Sequence, residues 1–130
     1  MLKGAGCMKR ILLSLLLMNM SLPVYAGYLT GNKLLSDCRG ALTLDDGHDV
    51  TRKEIAKSGI CIGYIMAVND DHDIHVAWGT MEAKYCVPDS ASPDELISIV
   101  VEYMEANPEQ LQSSAAGLVN NSLYVAFPCN

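Results

Sequence analysis

A small, compact all-α domain of four helices, with one long irregular connection and two disulfides, is the fold this chain predicts. Three observations carry the prediction. Two Ser/Thr-x-x-Glu boxes open apolar runs at helical spacing, strand-like alternation is nearly absent, and four cysteines remain once an N-terminal leader is set aside.

The first element is that leader. Lys9-Arg10 precedes the apolar run Ile11 to Leu17, too short to span a bilayer, and Val24-Tyr25-Ala26 offers small residues at the third-last and last positions before Gly27. Residues 1–26 therefore read as a signal peptide, with Met8 as an alternative start that would serve equally well. Cys7 stands ahead of the apolar run, whereas a lipid-modified cysteine would follow one, so no lipid anchor is expected and Cys7 leaves with the leader. Residues 27–130 suffice for a single domain with one modest core.

Cys38, Cys61, Cys86 and Cys129 remain, an even set that in an oxidising compartment implies two bridges among three possible pairings. Of the nine Lys and Arg, three leave with the leader while all fifteen Asp and Glu stay, which takes the net charge from −6 to −9. That balance argues against nucleic acid or an anionic membrane and mildly favours a basic protein partner, although acidic residues also serve plain solubility.

The helices follow in order. A short first helix over about Asn32–Arg39 carries Leu34, Leu35 and Cys38, and Asp45-Asp46-Gly47-His48-Asp49 is a turn-rich acidic loop. Thr51-Arg52-Lys53-Glu54 has the capping-box form, and Ile55, Ile62, Ile65 and Met66 then predict a long helix over about Arg52–Asn69. Gly59 and Gly63 within it each cost about 1 kcal/mol relative to Ala, which points to a close helix approach or a dimer contact, and Tyr64 packs with its hydroxyl bonded. Ser92-Pro93-Asp94-Glu95 repeats the box with Pro at the first helical position, and Leu96, Ile99, Val100, Tyr103 and Met104 make one face of a helix to about Ala106. Asn107-Pro108-Glu109-Gln110 stops that helix and starts the last, whose inward face is Leu111, Ala115, Leu118, Val119 and Leu123, ending near Phe127-Pro128.

Between the second and third helices, Asp70 to Pro88 is the least regular segment, with Lys84-Tyr85-Cys86-Val87 its only strand-like stretch. Connections this long tend to be functional or disordered, and this one holds the only Trp, two of the three His and three Asp. Asp70, Asp71, His72, Asp73, His75 and Trp78 are accordingly the candidate partner-binding residues. Against that stand plainer readings: Asp70 and Asp71 as a solvated helix end, although acids there oppose the helix dipole, Trp78 as core, and Ile74 and Val76 as a dimer contact.

Other chemistries fit less well. The Asp-Asp-His-Asp-x-His run has no established structural zinc spacing, so no metal and no cofactor are expected. Four of the seven methionines leave with the leader, and Met66, Met81 and Met104 read as core. There is no Gly-x-Ser-x-Gly elbow, and each mature cysteine is wanted for a bridge, so the chain is not read as an enzyme. Sequence alone leaves the pairing open. Antiparallel packing of the first two helices would bring Cys38 to Cys61, with Cys86 holding the end of the connection to Cys129, and this is the pairing we favour.

Four stretches in order then suggest a family. Gly27-Tyr28-Leu29-Thr30-Gly31-Asn32 with Leu34-Leu35 and Cys38, then Gly59 to Asp70 with its Cys-x-Gly-Tyr-Ile core, then Tyr85-Cys86-Val87-Pro88, and last Ala126-Phe127-Pro128-Cys129 resemble the amidase-immunity proteins of bacterial type VI secretion, the Rap/Tai family. Within it the chain is most similar to the type-four amidase immunity branch. The resemblance implies a periplasmic, helical homodimer that inhibits a cysteine-histidine peptidoglycan amidase cutting between D-glutamate and diaminopimelate, and so protects the producer from self and sister cells. A loop entering the amidase cleft would exclude the stem peptide. The alternative is a periplasmic acid-stress chaperone, although two bridges would resist the opening that activity needs.

Overall fold

A computed structural model describes residues 27–42 and 49–129. The expected leader, its Met8 alternative and Cys7 lie outside the described residues, as does most of the acidic loop. Four α-helices are present among the described residues: α1 (Gly31–Ala41), α2 (Arg52–Ala77), α3 (Pro93–Ala106) and α4 (Ala115–Ala126). No strand is found among them, so the strand-like stretch at Lys84–Val87 runs as irregular chain whose Cys86 N–H donates to the Phe127 carbonyl at 2.8 Å.

The helix starts follow the side chains. Thr30 Oγ1 caps α1 through the Lys33 N–H. At α2 the capping box is complete: Thr51 Oγ1 accepts from the Glu54 N–H at 3.3 Å, and Glu54 Oε2 accepts from the Thr51 N–H at 2.7 Å. Ser92 Oγ accepts from the Glu95 N–H at the head of α3, where Pro93 is the first helical residue.

Two boundaries differ from expectation. The second helix does not end at Asn69 but continues to Ala77, 26 residues in all and about 39 Å long. It stops where Gly79, at φ +68°, donates to the Val76 carbonyl and Thr80 donates to the His75 carbonyl, a double C-terminal cap that requires a left-handed residue. The irregular connection therefore begins only at Trp78. The last helix, in turn, does not start at Pro108. A single 3₁₀ turn occupies Pro108–Gln110, and α4 begins at Ala115 because the intervening backbone is bonded elsewhere. The Leu111 and Ser113 carbonyls accept the first N–H groups of α1, from Asn32 and Gly31, and Ala115 donates to the Leu29 carbonyl. Gly31 is needed at this crossing: a β-carbon there would meet Leu118 Cδ1 at 2.3 Å and the Leu111 backbone at 3.0 Å.

α1 packs mainly on α2 and α3 mainly on α4. The core joins Leu34, Leu35 and Cys38 of α1 and Cys61 and Ile65 of α2 to Tyr85 of the connection, with Leu96, Ile97, Val100, Val101 and Met104 facing them from α3 and Ala115, Leu118, Val119 and Leu123 from α4. The α3 stripe is turned from the one expected, since Ile97 and Val101 are buried and Ile99 and Tyr103 are only half-buried. Met104 is core and Met66 half-buried. Asp37 is also fully buried, ion-paired by one carboxylate oxygen to Lys33.

Both bridges form as favoured, Cys38 to Cys61 and Cys86 to Cys129. The outer side of α2 departs from expectation. Ile55 is 58 % exposed, Ile60 and Ile62 are exposed too, and a β-carbon on Gly59 or Gly63 would point into open space. These glycines pack against no other part of the described chain.

Candidate functional site

The candidate residues cluster on the last turns of α2, so helical geometry and not a loop decides where each one points. Side chains three and four apart share a face, which separates the run into an inward residue, a groove-facing pair and outward residues.

His72 is the inward one. It is 4 % exposed and its ring stacks on Tyr85 with centroids 3.9 Å apart. Its Nε2 accepts the Lys84 backbone N–H at 3.0 Å, so the ring proton lies on Nδ1, which donates to Asp73 Oδ1 at 3.0 Å. Expected as a contact residue, His72 instead serves as an internal strut between helix and connection. Asp73 is tied up locally as well, since its second oxygen accepts from Asn69 Nδ2.

Tyr85 continues the strut, and its phenol donates to Asn120 Oδ1 of α4 at 3.2 Å. Burial, followed by the nearby carboxylates of Asp73 and Asp71, pushes this phenol up to about 12. Tyr64 is also raised by burial, with an opposing contribution from a hydrogen bond to the Ala116 backbone.

Asp71 and His75 face a groove of about 640 Å³ between α2 and α4. Val68 and His72 complete the α2 wall, while Thr80, Met81 and Lys84 of the connection and Asn120, Asn121 and Tyr124 of α4 form the others. Met81 thus lines a groove rather than the core. His75 Nε2 stands 3.8 Å from Asp71 Oδ1, and its Nδ1 lies 2.8 Å from Thr80 Oγ1. Asp70, Ile74 and Trp78 look outward; Trp78 is 68 % exposed, its ring edge-on to His75, and so is not core. The structure therefore brings Asp71, His72 and His75 together around the groove and leaves Asp70, Asp73 and Trp78 off its lining.

The α4 wall escaped the sequence reading. Asn120, Asn121 and Tyr124 sit on the polar side of a helix chosen for its apolar stripe, and only their proximity to Asp71 and His75 gives them a role. Among the described residues no three His, Cys, Asp or Glu side chains are placed to hold a metal ion, and no helix is long and apolar enough to cross a membrane.

No curated protein matches the chain. Residues 30–129, however, match the family model of the Rap1a immunity proteins. That span runs from the cap of α1 to the last cysteine and takes in every described helix, both bridges and the groove: the chain belongs to the Rap1a immunity protein family.

Proposed function

We propose that the protein is a periplasmic immunity protein that binds a type VI secreted peptidoglycan amidase and covers its active-site cleft. The observation that carries this reading is the end of α2. Asp71, Ile74 and Trp78 are exposed there on a helix locked from behind by the His72 strut, and an open groove lies beside them. A rigid projection loses little conformational entropy when it enters a cleft, which favours tight inhibition. Membership of an immunity family supports binding to a cognate effector rather than catalysis, and the two disulfides suit an oxidising compartment.

The protein acts as a homodimer in this reading. The uncovered side of α2, with Ile55, Ile60 and Ile62 around the bare backbone of Gly59 and Gly63, is the face suited to a second copy. No observation favours the chaperone alternative.

The test is to titrate the oxidised protein into a type-four amidase while following peptidoglycan hydrolysis. Stoichiometric inhibition is expected, weakened by Trp78→Ala. Unimpeded hydrolysis across amidases of that type would overturn the proposal.

A further inference from the structure

The groove holds two acceptors with no donor between them. Thr80 has one hydroxyl proton, and it is used: Thr80 Oγ1 donates to the His75 carbonyl at 3.0 Å. The same oxygen must then accept from His75 Nδ1 at 2.8 Å, so the proton of the neutral ring resides on Nδ1. His75 Nε2 is left with a bare lone pair, 3.8 Å from Asp71 Oδ1, which is also an acceptor. That distance is too long for a hydrogen bond, and two acceptors would not make one. The pair sits on the open wall of the groove, where a positively charged donor group from outside would satisfy both atoms at once.

We propose that this groove receives a basic side chain, Lys or Arg, presented by a protein partner and held between the Asp71 carboxylate and His75 Nε2. In naming the effector as that partner, the inference rests on the immunity reading above. Three observations favour such an occupant over others. The wall adds Asn121 and the exposed Tyr124, a polar side chain and an aromatic ring suited to guanidinium or ammonium. The surrounding helix end carries Asp70 and Asp73 besides Asp71, and the chain as a whole is acidic, so a basic group is drawn towards it. With both ring nitrogens of His72 hydrogen-bonded, only Asp71 and His75 offer metal-ligating atoms here, fewer than a closed metal site needs. Among the described residues Lys84 is the one cation on the lining, and it works against the occupant. Its removal should therefore strengthen binding, whereas a groove built for carboxylates would lose affinity.

The experiment is an amide-shift titration of the oxidised protein with N-acetyl-arginine amide at mildly alkaline pH, where an ordinary imidazole is neutral. Saturable shifts centred on Thr80, Lys84, Asn121 and Tyr124 are expected, with none from the uncharged N-acetyl-citrulline amide. Asp71→Asn should weaken the probe roughly tenfold, and Lys84→Met should tighten it about two- to threefold. Equal response to citrulline, no response to arginine, or indifference to Asp71→Asn would overturn the proposal. So would tight saturation of the same residues by zinc chloride. The two readings separate cleanly. An amidase inhibited by a protein that ignores arginine sinks the groove and keeps the immunity function, whereas a protein that binds arginine but inhibits no amidase does the reverse.

Discussion

The two disulfides, one within the first half of α2 and one in the connection beyond it, serve opposite purposes. Within its first half, Cys61 is joined to Cys38 of α1 with both residues at 0 % exposure, and the bond is part of the core. Beyond its far end, Cys86 and Cys129 are exposed and join the irregular connection to the end of the chain. The first bridge sets how two helices pack, while the second sets where a loop begins and leaves the adjoining surface open. One helix thus links the core packing around Cys61 to the exposed chemistry of its last turn.

Breaking each bridge tests the contrast most strongly. Loop-entropy reasoning alone ranks the exposed bridge higher, because it closes a separation of 43 residues against 23. Burial reverses that order. Cys38→Ala with Cys61→Ala should lower stability by about 4 kcal/mol, since a core void adds to the lost constraint. Cys86→Ser with Cys129→Ser should cost about 2 kcal/mol and should raise hydrogen exchange between Thr80 and Cys86 while the helices keep theirs. Urea midpoints measured on both pairs decide the ranking, and a larger loss from the outer bridge would show that packing is secondary. Mild thiol should likewise open the exposed bridge first.

The next effect belongs to Tyr85. Its phenol is raised in the folded protein to about 12 from an ordinary 10. A group raised on folding contributes stability that is complete below the unfolded value and is lost as pH climbs through the folded one. Stability should therefore hold to about pH 10 and fall by some 2 to 3 kcal/mol by about pH 12, with the phenolate absorbance appearing late; Tyr85→Phe should flatten that decline. His72→Phe preserves the stacking but orphans the Lys84 N–H, and should cost about 2 kcal/mol with the change confined to the connection, as hydrogen exchange would show. Smallest in stability is Trp78→Ala, which should move the unfolding free energy by less than about 0.5 kcal/mol while weakening the proposed amidase inhibition by about tenfold or more. A large loss of stability there would make Trp78 structural and erase the contrast.

Capping chemistry made most of this architecture legible. Thr51-x-x-Glu54 and Ser92-x-x-Glu95 each place an oxygen where the first helical amides need one, and the chain obeys them to the residue. Four cysteines on two helices and two irregular segments led to the right bridges. The far end of α2 was missed because Asp70-Asp71-His72-Asp73 looks like a turn, while the residue that stops the helix is Gly79, readable only as a left-handed cap after a run already judged broken. Apolar spacing misled in the opposite direction. Ile55 and Ile62 recur at helical intervals yet face outward, since periodicity identifies a stripe without saying which neighbour covers it. The groove was beyond reach for a similar reason: its walls are drawn from α2, the connection and α4, and no local pattern marks residues that become neighbours only in the folded chain.

Bridges that join Cys38 to Cys61 and Cys86 to Cys129 pair neighbouring thiols along the chain without interleaving. Under the periplasmic reading proposed above, a polypeptide threaded amino-end first into that space can therefore close its inner bond when half of it has emerged and its outer bond when Cys129 arrives. An oxidase that joins these four thiols two by two in order of arrival produces the native set with no rearrangement. What must wait is the seam at Thr30 and Ser114, where the earliest folded segment meets one of the latest, so the domain sets its first covalent lock long before its ends can be tied together.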